Sequence, residues 1–157
     1  MDSKTTFEEE LIRKGSIIYP NVGNSMMPLI RQGRDILIIK RPKEWNRDCG
    51  NTTIKLRRLD VPLYKRSNGV YVLHRILKVR SNDYVICGDN RYHKEYGITD
   101  KNIIGVMTGI VRDGKEISVR DMKYRIYSHI WCDLFIVRVI VLKGKRVFKR
   151  LKKHIRK

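Results

Sequence analysis

Apolar positions along this chain fall into short runs separated by turn residues. Ile17 to Val22, Arg34 to Ile39, Val61 to Lys65, Val70 to Val79, Tyr84 to Cys87, Ile103 to Val111 and Glu116 to Val119 each have the length and β-branched content of a strand. Asn68-Gly69 lies between Leu63-Tyr64 and Tyr71-Val72, and Asp113-Gly114 between Ile110-Val111 and Ile117; both dipeptides predict hairpin turns. Such runs, joined by turns, predict a mainly β domain rather than a parallel α/β one. Ahead of them, Thr6-Phe7-Glu8-Glu9 has capping-box spacing, with Arg13 and Lys14 in the last turn and Gly15 as the stop, which predicts a short helix over Phe7 to Lys14. Between Pro42 and Arg58 the pattern lapses into polar and charged residues, the signature of a long loop or an extra hairpin.

After Asp121 the period changes. Ile130 to Leu142 is apolar almost all round a helical wheel, interrupted by Asp133 and Arg138, and beyond it Val147, Phe148, Leu151 and Ile155 share one helical face among Lys and Arg. The apolar run is shorter than the ~20 residues a membrane span needs, and it carries two charges. These features predict a basic amphipathic helix lying in a membrane interface. The chain therefore divides into a β domain, residues 1–121, and a basic amphipathic helical tail, residues 122–157.

Charge sharpens this division. The formal net charge of +19 is concentrated at the C-terminus, where Lys143, Lys145, Arg146, Lys149, Arg150, Lys152, Lys153 and Arg156 stand without an acid among them. A block of one sign implies a partner of the other, so an anionic membrane surface is the expected partner and nucleic acid the less favoured one. The three cysteines, Cys49, Cys87 and Cys132, fit neither zinc spacing nor a disulfide framework and are read as reduced thiols. Met1 to Glu10 is polar and acidic and lacks the pattern of a secretory signal peptide, so the expected membrane contact is peripheral, on the cytoplasmic face, with anchoring through the C-terminal segment as the alternative.

Candidate chemistry centres on Gly23-Asn24-Ser25-Met26-Met27-Pro28, a tight turn between two apolar runs. A serine in such a turn becomes a nucleophile only with a base, a group that orients the base, and donors for an oxyanion. His74 shares a strand face with Val72 and Ile76, so its ring points to the core side where the turn could meet it; by itself it also fits a packed core histidine. Asp89 reads equally as an Asx-turn residue, and Glu95 as a solvated loop charge. Cys87 reads as a buried small residue, and Cys87 with His93 is too sparse a set for a metal. Asp35 and Asp60, at strand openings, read as structural.

Gly23-x-Ser25-Met26-x-Pro28, followed by Gly33 and Asp35-Ile36-Leu37-Ile38, resembles the nucleophile box of the signal peptidase I and LexA-type serine peptidases, the S24/S26 group. Leu59-Asp60-Val61-Pro62-Leu63-Tyr64 leading into Val72-Leu73-His74-Arg75-Ile76, then Cys87-Gly88-Asp89-Asn90, and then Ile104-Gly105 resemble its later boxes in order. The resemblance covers about Phe7 to Val119 and is to the ER-type subgroup, whose base is His rather than Lys. It implies a LexA/signal peptidase-like β fold, Ser25 as nucleophile, His74 as general base, and either Asp89 or Glu95 as the orienting acid. An imidazole can take a serine proton at neutral pH without the heavy desolvation a lysine base requires. The family commonly carries a hydroxyl two residues before the nucleophile; this chain has Gly23, leaving the Ser25 N–H, helped by the Asn24 side chain, as the expected oxyanion donors.

The expectation is a serine endopeptidase that cleaves an extended precursor or signal-like peptide at a membrane surface, with no cofactor or metal. The alternative is a non-catalytic peptidase-like module that grips anionic lipid or nucleic acid through its basic tail.

Overall fold

A computed structural model describes residues 5–41 and 56–155. The protein is mainly β. Among the described residues, nine strands form two antiparallel sheets, with an α-helix before them and two after. The strands are β1 (Ser16–Pro20), β2 (Asp35–Lys40), β3 (Pro62–Lys65), β4 (Tyr71–Leu73), β5 (Arg75–Val79), β6 (Tyr84–Cys87), β7 (Glu95–Ile98), β8 (Ile103–Arg112) and β9 (Lys115–Ser118); the helices are α1 (Phe7–Lys14), α2 (Met122–Asp133) and α3 (Phe135–Ile155). The larger sheet runs β1-β2-β8-β3-β4, with β9 also on β8, and the smaller runs β5-β6-β7. The long strand β8 ties the larger sheet together, because it pairs with β2 from Val106 to Arg112, with β3 from Ile103 to Val106 and with β9 from Gly109 to Arg112.

Local signals explain several boundaries. The Thr6 hydroxyl accepts from the Glu9 N–H while the Glu9 carboxylate accepts from the Thr6 N–H, and Gly15 closes α1 in the left-handed region at φ 72°. Asp113 and Gly114 both have positive φ and join β8 to β9 in a two-residue hairpin. The Asn68-Gly69 turn likewise returns β3 onto β4.

Two differences from the sequence pattern matter for the site. The run Val70 to Val79 is not one strand: it breaks at His74, with Leu73 paired to Leu63 in the larger sheet and Arg75 paired to Cys87 in the smaller. The run carries no turn residue at the change of partner, so the sequence does not mark it. Second, Glu95 opens a strand, β7, where a loop was expected, and its register sets it opposite Ile86.

The core has two parts. Leu11, Ile17, Met26, Ile30, Leu37, Ile39, Leu63, Met107 and Ile110 fill one around the larger sheet, and Tyr64, Ile76, Tyr84, Ile86, Ile98 and Ile103 fill the other. His74 lies where the chain passes between them.

The division at Asp121 falls at the start of α2. That helix is packed into the body, with Tyr124 in the first core cluster and Ser128 and Cys132 buried. A break at Leu134 separates it from α3. No helix among the described residues is long and apolar enough to cross a membrane. Ile130 and Ile136 are exposed, as are Ile140, Val147 and Phe148, so α2 and α3 turn an apolar face outward. Lys143 and Lys145 are exposed on α3; Arg146, Lys149, Arg150, Lys152 and Lys153 lie on the same helix, their side chains outside the described set, and Arg156 lies outside the described residues. Cys49 and most of the expected Pro42–Arg58 loop also fall outside them.

Candidate active site

The serine turn is anchored by its apolar neighbours. Met26 and Ile30 are buried in the first core cluster, the Met27-Pro28 peptide is cis, and the Ile30 N–H donates to the Met26 carbonyl. Asp35 secures the exit of the turn: its carboxylate accepts from the Arg31 N–H and from the guanidinium groups of Arg34 and Arg112. Burial would raise the Asp35 pKa, but these donors outweigh it and hold the carboxyl well below its usual range. Asp35 is thus structural, as its position at a strand opening suggests. Asp60 plays the same kind of part, accepting from the Arg57 N–H just ahead of β3.

The acid loop, residues 87–91, closes against this turn from the other side. The Asn90 N–H donates to the Ser25 carbonyl at 2.7 Å, the Asn90 side chain to the Asn24 carbonyl at 3.1 Å, and Arg91 to the Asn24 side-chain oxygen at 3.1 Å. Gly88 is essential to this approach. A Cβ added there would lie 2.7 Å from the Ser25 carbonyl oxygen and 2.9 Å from His74 Nε2, closer than real Cβ contacts allow. Glycine therefore lets the imidazole and the serine segment each approach the same backbone position closely.

His74 is buried and held at its other nitrogen. Nδ1 lies 2.9 Å from Glu95 Oε1 and 3.3 Å from the Tyr64 hydroxyl. A carboxylate on Nδ1 favours the tautomer protonated there, which leaves Nε2 as the acceptor on the side of Gly88 and Ser25. Glu95 is itself held by both arms of Arg66, at 2.8 and 2.6 Å. Burial acts to raise the Glu95 pKa, but the hydrogen bonds from His74 and Arg66 prevail and lower it to about 2.

Asp89 is placed differently. Its carboxylate takes both arms of Arg75 at 3.0 and 2.8 Å, and both side chains are wholly buried. Arg75 also donates to the Leu59 carbonyl, the Tyr124 hydroxyl and the Ser128 hydroxyl, and the Trp131 indole N–H donates to the Asp89 carbonyl. Of the two acids, Glu95 meets the imidazole and Asp89 meets Arg75.

Ser25 and His74 line one cleft of about 460 Å³, floored by the apolar side chains of Met26, Leu37, Ile39 and Leu63. Gly23 lines it too, and nothing lies within 4 Å of a Cβ built there. Asn24 turns its side-chain oxygen to Arg91, and the Ser25 N–H donates to no acceptor among the described residues. Cys87 is buried, which raises its thiol pKa, and its sulfur lies against the His93 carbonyl rather than the ring. Among the described residues no group of three or more metal-binding side chains comes together.

Several contributing residues escaped the sequence reading. Tyr64 and Arg66 carry no local mark, since their partners, His74 and Glu95, lie on other segments of the chain. Arg138 did carry one, a charge within an apolar run; at 1% exposure it reaches from α3 to the carbonyls of Gly88 and Arg91 and to the Cys87 sulfur. A comparison of the chain with protein-family models, with curated proteins and with solved structures finds no match.

Proposed function

We propose that this protein is a serine endopeptidase of the signal peptidase I type, built on a LexA/signal peptidase-like β domain and working against a membrane surface. The observation that carries the reading is the single cleft that holds Ser25 and His74, with Glu95 on the far nitrogen of the imidazole. An extended peptide would lie in that cleft beside β1 and β4, the terminal strands of the larger sheet, whose Tyr19, Pro20, Tyr71 and Leu73 border it.

Ser25 Oγ attacks the scissile carbonyl while His74 Nε2 takes its proton. Glu95, steadied by Arg66, keeps Nδ1 protonated and stabilises the imidazolium. The Ser25 N–H donates to the oxyanion, the imidazolium returns its proton to the departing amine, and water hydrolyses the acyl-enzyme by the same steps. The outward apolar face of α2 and α3, together with the basic C-terminal block, would set this cleft beside an anionic bilayer.

The test is intact-mass analysis of a library of short precursor peptides incubated with wild type, Ser25→Ala and His74→Ala. Wild type produces two fragments from at least one peptide and both variants leave it whole. Identical spectra for all three proteins would return the chain to the non-catalytic alternative, a module that binds anionic lipid or nucleic acid.

A further inference from the structure

A second cavity, of about 450 Å³, shares no lining residue with the Ser25 cleft among the described residues. It lies between the smaller sheet and the junction of α2 with α3. Leu77, Val85 and Phe135 supply apolar walls, while Lys78, Arg80 and Lys94 supply three positive charges. No acid lines it. Arg80 pairs with Asp83 at 3.1 Å and stands 5.0 Å from the Tyr96 ring centre, and Lys94 stands 4.6 Å from that of Phe135. Lys78 is exposed, and its backbone is paired to Val85 in the β5–β6 ladder.

Three cations against one acid call for an anion, and the apolar walls call for a ligand with hydrocarbon next to its charge. The surroundings narrow this further. Phe135 is flanked in sequence by Leu134 and Ile136, which are 52% and 76% exposed, so the cavity opens beside the apolar face that α2 and α3 turn outward. An exposed apolar face rimmed by lysine and arginine is complementary to a bilayer with anionic headgroups.

We infer that this cavity binds the phosphate headgroup of an anionic phospholipid, with Lys78, Arg80 and Lys94 around the phosphate and the first acyl carbons over Leu77 and Phe135. It concerns the membrane contact of the proposed peptidase and is independent of the chemistry at Ser25. A discrete headgroup site differs from diffuse attraction by the basic tail, because it depends on which cations are removed.

Co-sedimentation of the full chain with phosphatidylcholine vesicles, with and without phosphatidylglycerol, reads that difference. Each lysine close to an anionic surface contributes about a fivefold factor in binding, so Lys78→Gln with Lys94→Gln lowers partition onto phosphatidylglycerol vesicles about 25-fold. A charge-matched control, Lys101→Gln with Lys115→Gln at exposed positions away from the cavity, lowers it about twofold. Equal losses in the two double variants would overturn the site. In a second arm, soluble dihexanoylphosphatidylglycerol raises the melting temperature of wild type and not of the Lys78/Lys94 variant. The same rise with inorganic phosphate alone would overturn the lipid assignment.

Discussion

Two arginine–carboxylate pairs lie near the imidazole, and the contrast between them explains how the site is built. Arg75 and Asp89 have no exposed side-chain surface and are enclosed by Tyr124, Ser128 and Trp131. Arg66 and Glu95 sit at the lip of the cleft, 38% and 24% exposed, and Glu95 has one oxygen on His74. Both pairs are bidentate. The buried pair ties the acid loop to α2, whereas the outer pair leaves its carboxylate in contact with a group that can gain and lose a proton. Burial thus separates a clamp from a candidate catalytic acid, although the two acids lie six residues apart on neighbouring segments.

The largest effect should come from breaking the buried pair. Asp89→Ala leaves Arg75 buried and charged without its counter-ion, and denaturant unfolding should show a loss of about 3–5 kcal/mol. A loss below about 1 kcal/mol would mean that water or another group reaches Arg75 and that the contrast in burial is false. Glu95→Gln should do the reverse. Under the proposed mechanism, peptide cleavage should fall on the order of 10³-fold in kcat through loss of the tautomer and the imidazolium partner, while stability falls only about 1–2 kcal/mol. If Asp89→Asn instead gave the greater fall in kcat in folded protein, the orienting role would belong to Asp89.

Arg66→Met is a milder probe. Glu95 keeps His74 but loses its other support, so kcat should drop about tenfold with stability changed by less than about 1 kcal/mol. The smallest effect is in pH dependence. The Glu95 pKa is lowered from 4.5 to about 2, so its contribution to stability is fully present above pH 4.5 and is lost as pH falls through about 2. The stability gap between wild type and Glu95→Gln should therefore be constant near neutrality and narrow between those limits; thermal unfolding across an acid pH series measures it. A gap that widened with acidification would contradict the lowered pKa.

Much of this arrangement was legible in the sequence where the determinants are local. The α1 cap, the Asp113-Gly114 hairpin and the placement of Ser25 in a turn between apolar runs all depend on residues a few positions apart. The choice between Asp89 and Glu95 was not legible, because it depends on register: Arg75 pairs with Cys87 and Ile86 with Glu95, contacts between distant segments. Strand β7 escaped because Glu95-Tyr96-Gly97-Ile98 holds a charge and a glycine, and its strand character comes from pairing with β6. Arg138 looked like an interruption of an apolar helix; its partners lie some 50 residues back in the chain.

Arg138 also bears on how the molecule opens. Its guanidinium crosses from α3 to the carbonyls of Gly88 and Arg91, while its Nε and Nη1 have no partner among the described residues. The loop cannot separate from the serine turn by much without dragging or releasing that side chain, and α3 cannot lift without uncapping those carbonyls. Backbone amides in the loop and in the first turns of α3 should therefore open together, so that hydrogen exchange at the serine turn responds to a change in a helix far along the chain.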